Sequence, residues 1–137
     1  MNTYRVLLIG LLLVGLSCRH GEPTPGVGST RLIGTRLLFE TGNSPGFGYF
    51  ITPIPPTPPQ TITFTTDGGL KVQGDALGYY QRIQAYRFDS TQYGLRLSLF
   101  TDSNSQPIYN GFQLHGDTLR LIPTCYEGCH YEFLRNR

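Results

Sequence analysis

The sequence predicts an all-β domain: an antiparallel up-and-down meander of seven to eight short strands that closes into a small barrel. Three observations lead there. Apolar and polar residues alternate with period two in most segments after residue 30, as in Thr61-Ile-Thr-Phe-Thr-Thr66 and Gly94-Leu-Arg-Leu-Ser-Leu-Phe100. Tight-turn signals, Asp67-Gly-Gly69 and His115-Gly-Asp117, separate these segments. Beyond the first eighteen residues no stretch of ten or more shows a helical period. A meander with one apolar face hides that face and its edges by closing into a barrel or folding into a sandwich, and consecutive hairpins favour the up-and-down barrel.

The elements follow in order. Leu32-Ile-Gly-Thr-Arg-Leu-Leu-Phe-Glu40 is a first strand. Thr61–Thr66 places Ile62 and Phe64 on one face, and Leu70-Lys-Val-Gln73 continues the alternation after the turn. Tyr79 to Phe88 reads as a longer strand, followed by 93–100 with Leu95, Leu97 and Leu99 in phase. Ile108 to Leu114 carries Asn110, Phe112 and Leu114 on one face. Thr118 to Ile122 leads through a cysteine-bearing loop to a last strand, Cys129 to Leu134, with Tyr131 and Phe133 together. The exception is Thr41 to Gln60, rich in glycine and holding six prolines. Proline fixes φ and removes a donor, so Pro53–Pro59 is extended. A loop this long in a compact domain is functional or disordered. Its Phe47, Tyr49, Phe50, Ile51 and Ile54 mark it as packing against something; a proline-rich groove ligand is the alternative.

The chain opens with Arg5, an apolar run from Val6 to Leu16, then Ser17 and Cys18. The run is too short to span a bilayer, which takes about 20 residues, and matches the core of a secretory signal. With Cys18 at its end it resembles a bacterial lipoprotein signal, although Gly15 stands where such signals usually carry Leu; plain secretion or an uncleaved anchor are the alternatives. The resemblance implies removal of residues 1–17, lipidation of Cys18 with acyl chains such as palmitate, and attachment to the cell envelope, with the outer membrane as the expected site. Residues 18–30, with two Pro and three Gly, then form a flexible tether to a domain over 31–137.

Removing residues 1–17 of the 137 leaves 120, the length of one domain. Arg31, Arg36, Lys71, Arg82, Arg87, Arg96 and Arg120 are scattered singly, a pattern that argues against nucleic acid as a partner. With Cys18 assigned to lipid, Cys125 and Cys129 remain, and an exported pair reads as a disulfide closing a small ring around Gly128. Free thiols, or metal or redox chemistry, are the alternatives. Zinc needs about four ligands, and only His130 lies near in sequence; the C-x-x-x-C spacing is not the redox C-x-x-C. No metal and no cofactor is expected.

Leu32-Ile-Gly-Thr-Arg36 resembles the opening strand of lipocalin-like proteins, which read Leu-x-Gly-x-Trp. Thr61–Leu70 is similar to their second and third strands, and Asp117–Arg135 to the closing hairpin of small lipocalin-like lipoproteins of Gram-negative bacteria. These patches cover about a third of the mature chain. The resemblance implies an eight-stranded barrel with an internal cavity and with Thr41–Gln60 lying over its open end, so that Phe47, Tyr49, Phe50 and Ile54 belong to a lid. One departure stands out. Arg36 replaces the family's Trp, and in the family that Trp packs on an Arg of the last strand and plugs the closed end; the resemblance implies that Arg36 and Arg135 would repel there, so the plug must differ or the register of the match is wrong.

No G-x-S-x-G elbow, H-E-x-x-H or phosphate loop is present, and the chain is expected not to be an enzyme. His115 beside Asp117, and the pair Asp89 and Asp102, read as ordinary loop polarity against an acid–base alternative. For binding the expected lining is Phe64, Tyr80, Arg82, Gln84, Tyr86, Leu97, Phe112, Tyr131 and Phe133, apolar walls with Arg82 and Gln84 as polar anchors. That set requires Tyr80, Arg82, Gln84, Tyr86 and Phe88 to point inward; the opposite parity, with Tyr79, Gln81, Ile83, Ala85 and Arg87 inward, gives a blander barrel. The reading is a lipid-anchored envelope protein binding a small apolar or amphipathic ligand. Its alternative is a packed barrel acting as a non-catalytic interaction module for a protein partner.

Overall fold

The structure, a computed structural model, describes residues 27–137 apart from Tyr93 and Ser103. The expected signal over 1–17, Cys18 and the first part of the expected tether lie outside the described residues. A single helical turn and a half, α1 (Val27–Leu32), occupies the end of the stretch whose composition predicts tether. Nine strands follow: β1 (Gly34–Asn43), β2 (Phe50–Pro53), β3 (Thr61–Phe64), β4 (Leu70–Gln73), β5 (Ala85–Thr91), β6 (Gly94–Phe100), β7 (Ile108–His115), β8 (Thr118–Ile122) and β9 (Cys129–Arg135). All pair antiparallel, in the order β4-β3-β1-β9-β8-β7-β6-β5, with β2 also on β1.

The domain is all-β and barrel-like, with one strand more than the seven or eight expected. The extra strand arises inside the proline-rich segment. β2 pairs with Glu40–Asn43 and β3 with Gly34–Leu37, so the two occupy successive lengths of the same edge of β1. Residues 54–60 are an excursion between them, held by Ile54 N donating to Phe39 O and Leu38 N donating to Gln60 O. Counted this way, eight positions surround the barrel. Pairing of β1 with β9 joins the first strand to the last, whereas among the described residues β4 and β5 are joined through the isolated Gly69–Ala85 bridge, where Leu70 N donates to Gln84 O and Tyr86 N to Gly68 O.

The strand expected over Tyr79–Phe88 is not formed as such. Asp75–Leu77 is a 3₁₀ turn, residues 78–82 continue as turns, and β5 begins at Ala85. Backbone bonds Tyr80 N to Leu77 O and Ile83 N to Tyr80 O coil this segment into the end of the barrel. Its apolar residues then face the core: Leu77, Tyr80 and Ile83 are buried. Here the spacing of three, not two, is the operative period.

A β-bulge between Leu38 and Glu40 resets β1. Arg36 and Leu38 are buried ahead of it; beyond it Thr41 pairs with Tyr131, a core-packing residue, while Glu40 and Gly42 pair with Glu132 and His130 on the outer face. An uninterrupted strand would keep Glu40 in phase with Leu38. The core itself is the inner set Leu38, Ile62, Phe64, Leu97, Leu99, Leu119, Leu121 and Phe133, capped at one end by Leu32 and at the other by Leu77 and Tyr80.

The like charges Arg36 and Arg135 are direct cross-strand neighbours. Each finds carbonyl oxygens instead of an aromatic face. Arg36 donates through Nη1 to Asp117 O (3.0 Å) and through Nη2 to Arg31 O (2.7 Å), and Arg135 through Nη2 to Ile33 O (2.9 Å) and Arg31 O (3.2 Å). Arg36 is only 1% exposed, and its Nε has no hydrogen-bond partner among the described residues. Burial, and secondarily the positive charge of Arg135, holds its pKa below the ordinary guanidinium value.

Candidate functional site

Two regions carry the residues singled out from sequence: the barrel interior and an outer rim built by the 44–53 segment and the cysteine loop. Inside, Phe64, Tyr80, Tyr86, Leu97, Phe112, Tyr131 and Phe133 all belong to or pack against the core. Arg82 and Gln84 do not. Both are exposed, because the coil at 75–84 turns them outward while it turns Tyr80 and Ile83 inward. The polar anchors expected for a ligand are therefore outside the barrel.

The interior aromatics contact one another edge to face. Phe64–Tyr86 and Phe88–Phe112 have ring centroids 5.0 Å and 5.2 Å apart, and Tyr80 meets Tyr79 and Tyr131 at 4.8 Å and 5.2 Å. Such pairs are worth about 0.5–1.5 kcal/mol beyond their burial. The hydroxyls of Tyr80 and Tyr86 are satisfied within the fold. Tyr80 donates to Asn110 Oδ1 (3.0 Å), and Tyr86 donates to Thr65 O (2.8 Å). Burial raises the pKa of Tyr80 well above the ordinary phenol value, with smaller increases at Tyr86 and Tyr131 for the same first cause. Leu32 of α1, and Leu77 and Tyr80 of the 75–84 coil, are fully buried in the same core cluster. Phe88, Phe112 and Leu114, inward-pointing on β5 and β7, are only half-buried.

The rim is different in character. Of the four lid residues only Ile54 packs against the core; Phe47, Tyr49 and Phe50 are exposed, as is Ile51. Phe47 is 81% exposed and stands edge to face with Phe50 at 5.6 Å. Ser44 N donates to Gly128 O, tying this flap to the loop that the Cys125–Cys129 disulfide closes and that carries exposed Tyr126. Phe47, Tyr49, Phe50, Ile51 and Tyr126 thus lie on connected segments of one rim.

Beneath Tyr49 lies a polar cluster on the outer sheet face. His130 of β9 is 3% exposed, stacked on the Tyr49 ring at 5.7 Å, with Nδ1 hydrogen-bonded to the Tyr49 hydroxyl and Nε2 3.2 Å from Glu40 Oε1. Glu132, two residues on and opposite Glu40, is paired with Arg120 of β8. Glu40, His130 and Glu132 each offer one ligand atom, and these atoms lie within 4.8 Å of one another. Gly42 makes the room: a Cβ there would collide with the imidazole and with the Tyr49 hydroxyl oxygen. The sequence carries half of this signal, since His130-x-Glu132 on a strand shares one face. Glu40 is ninety residues away, and its face is set by the bulge.

No protein-family model, no curated protein and no solved structure matches this chain.

Proposed function

We propose that the chain is an exported, lipid-anchored envelope protein whose lipocalin-like barrel is a packed scaffold and whose work is done on its outer rim, as a non-catalytic module that binds a protein partner. The observation that carries this reading is the contrast between the two regions. The interior aromatics pack on one another, with the Tyr80 hydroxyl held by Asn110 and the Tyr86 hydroxyl by the backbone, while the rim presents Phe47, Tyr49, Phe50, Ile51 and Tyr126 to solvent. Contiguous exposed aromatic surface, flanked by polar groups, is characteristic of interaction sites, and Tyr and Phe are enriched among residues that anchor interfaces. The lipid anchor rests on the Cys18 segment.

The test is site-specific photocrosslinking from position 47 or 126 in the native host. A discrete crosslinked species that disappears in Phe50→Ser supports the reading; crosslinking no different from that at exposed Gln73 of β4 would contradict it.

A second reading, a small apolar ligand held by the barrel, is favoured by one observation. Phe88, Phe112 and Leu114 are inward-pointing and half-buried on β5 and β7, the two strands that flank β6, which leaves apolar surface accessible there. It is tested by native mass spectrometry after exposure to envelope lipids.

A further inference from the structure

We propose that Glu40, His130 and Glu132 form a binding site for a divalent cation of the zinc class on the outer face of the β1–β9 pair. The site stands on geometry independent of the partner reading. Three donors of a type that suits zinc, one imidazole and two carboxylates, converge from adjacent strands with their ligand atoms within 4.8 Å of one another. Around a zinc ion with bonds of about 2.0–2.2 Å, donors sit about 3–3.6 Å apart, so a modest inward rotation of the two carboxylates closes the site. Three protein ligands leave a fourth position for water or for a donor from a partner.

Three further observations make this more than a chance gathering of charge. Glu40 and Glu132 are directly opposed across β1 and β9, an arrangement that is unfavourable for like charges. Arg120 offsets Glu132 alone, through Nε and Nη2, both on Oε1, which leaves Oε2 unengaged by Arg120. Glu40 meets the His130 ring, which carries charge only when protonated. A divalent ion balances the two carboxylates against a neutral imidazole. Secondly, the imidazole is buried on what would otherwise be an open sheet face: Tyr49 covers it, and Gly42 supplies the space it occupies. Thirdly, the outer contacts match those that tune metal ligands. With the ion on Nε2, the Nδ1–H donates to the Tyr49 hydroxyl oxygen, fixing tautomer and ring plane, and Arg120 fixes the Glu132 carboxylate.

The experiment is calorimetric titration of the untagged, metal-free full chain in mild detergent with zinc, repeated with cobalt to read the visible band of a four-coordinate site. The account predicts one ion per chain. It also predicts a loss of affinity of more than tenfold in each of Glu40→Gln and Glu132→Gln, and no change in the double variant His20→Gln/His115→Gln, neither of which belongs to the proposed ligand set. His130→Gln abolishes binding; because that residue is buried, circular dichroism accompanies it, and in the wild-type protein proton NMR predicts that one histidine ring responds to zinc. The proposal is overturned if folded wild-type protein shows no saturable binding, if Glu40→Gln and Glu132→Gln bind as the wild type does, or if binding is lost with His20 and His115.

Discussion

Removal of a single oxygen from Tyr80 tests the plugged-barrel description at its least expected point. Tyr80 is fully buried, and its hydroxyl donates to Asn110 Oδ1 at 3.0 Å, while Asn110 Nδ2 donates to the Tyr79 hydroxyl oxygen at 3.4 Å. In Tyr80→Phe the ring contacts with Tyr79 and Tyr131 remain, so the change isolates the hydrogen bond. A net neutral hydrogen bond is worth about 0.5–1.5 kcal/mol, and leaving the Asn110 acceptor buried and unpaired brings the expected cost to about 1–3 kcal/mol. Chemical denaturation should show that loss as a lower midpoint at unchanged slope, with a fall in Tm of several degrees. A cycle with Asn110→Ala should return a coupling energy of similar size. Arg82→Ala and Gln84→Ala, on exposed side chains of the same segment, should each stay within about 0.5 kcal/mol of wild type. If Tyr80→Phe is silent while Arg82→Ala or Gln84→Ala is costly, the segment runs as the strand the alternation suggested and the plug is wrong.

Other outcomes follow from the same contacts. Gly42→Ala places a Cβ against the His130 ring and the Tyr49 hydroxyl oxygen, and overpacking of this kind costs about 1–3 kcal/mol, measurable by urea unfolding. Reduction of Cys125–Cys129 opens a ring of four-residue separation; the chain-entropy estimate for so short a loop is about 2 kcal/mol, with faster amide exchange expected at Ser44, whose N–H is held by Gly128 O. Asp89 is held below the usual carboxylate pKa by hydrogen bonds from Arg87 and Ser98. A depressed carboxylate stabilises the fold above its unfolded pKa of about 3.9 and loses that contribution as pH falls through the folded value. Asp89→Asn should therefore flatten the acid limb of the stability profile below about pH 4 and leave its alkaline side unchanged in shape.

Much of the barrel is legible in the sequence because alternation is a strong signal where one face is buried. Thr61–Phe64, Leu70–Gln73, Thr118–Ile122 and the inner phase of Leu97 and Leu99 are formed as period two dictates. The misreading at 79–84 has a physical cause. Tyr80, Ile83 and the preceding Leu77 are spaced by three, which a turn-rich plug buries as well as a helix does, but mixed tyrosine and β-branched content there mimics a strand. Arg36 shows the opposite limit. Sequence exposes the conflict with Arg135, yet the carbonyls of Arg31, Ile33 and Asp117 that resolve it come from a terminal turn and a hairpin whose approach no local pattern encodes. The outer cluster fails for a third reason. A bulge at residue 39 reverses the face of Glu40, and bulges leave no period to read.

The central claim is that the barrel interior is occupied by its own side chains and that the chain acts through its rim. The most direct measurement is native mass spectrometry of the chain, folded by circular dichroism, after incubation with a lipid extract of the host envelope and repurification. The account predicts the mass of the polypeptide and its own covalent modifications alone. A discrete, stoichiometric increment that vanishes on denaturation would contradict it and favour a ligand held by the barrel.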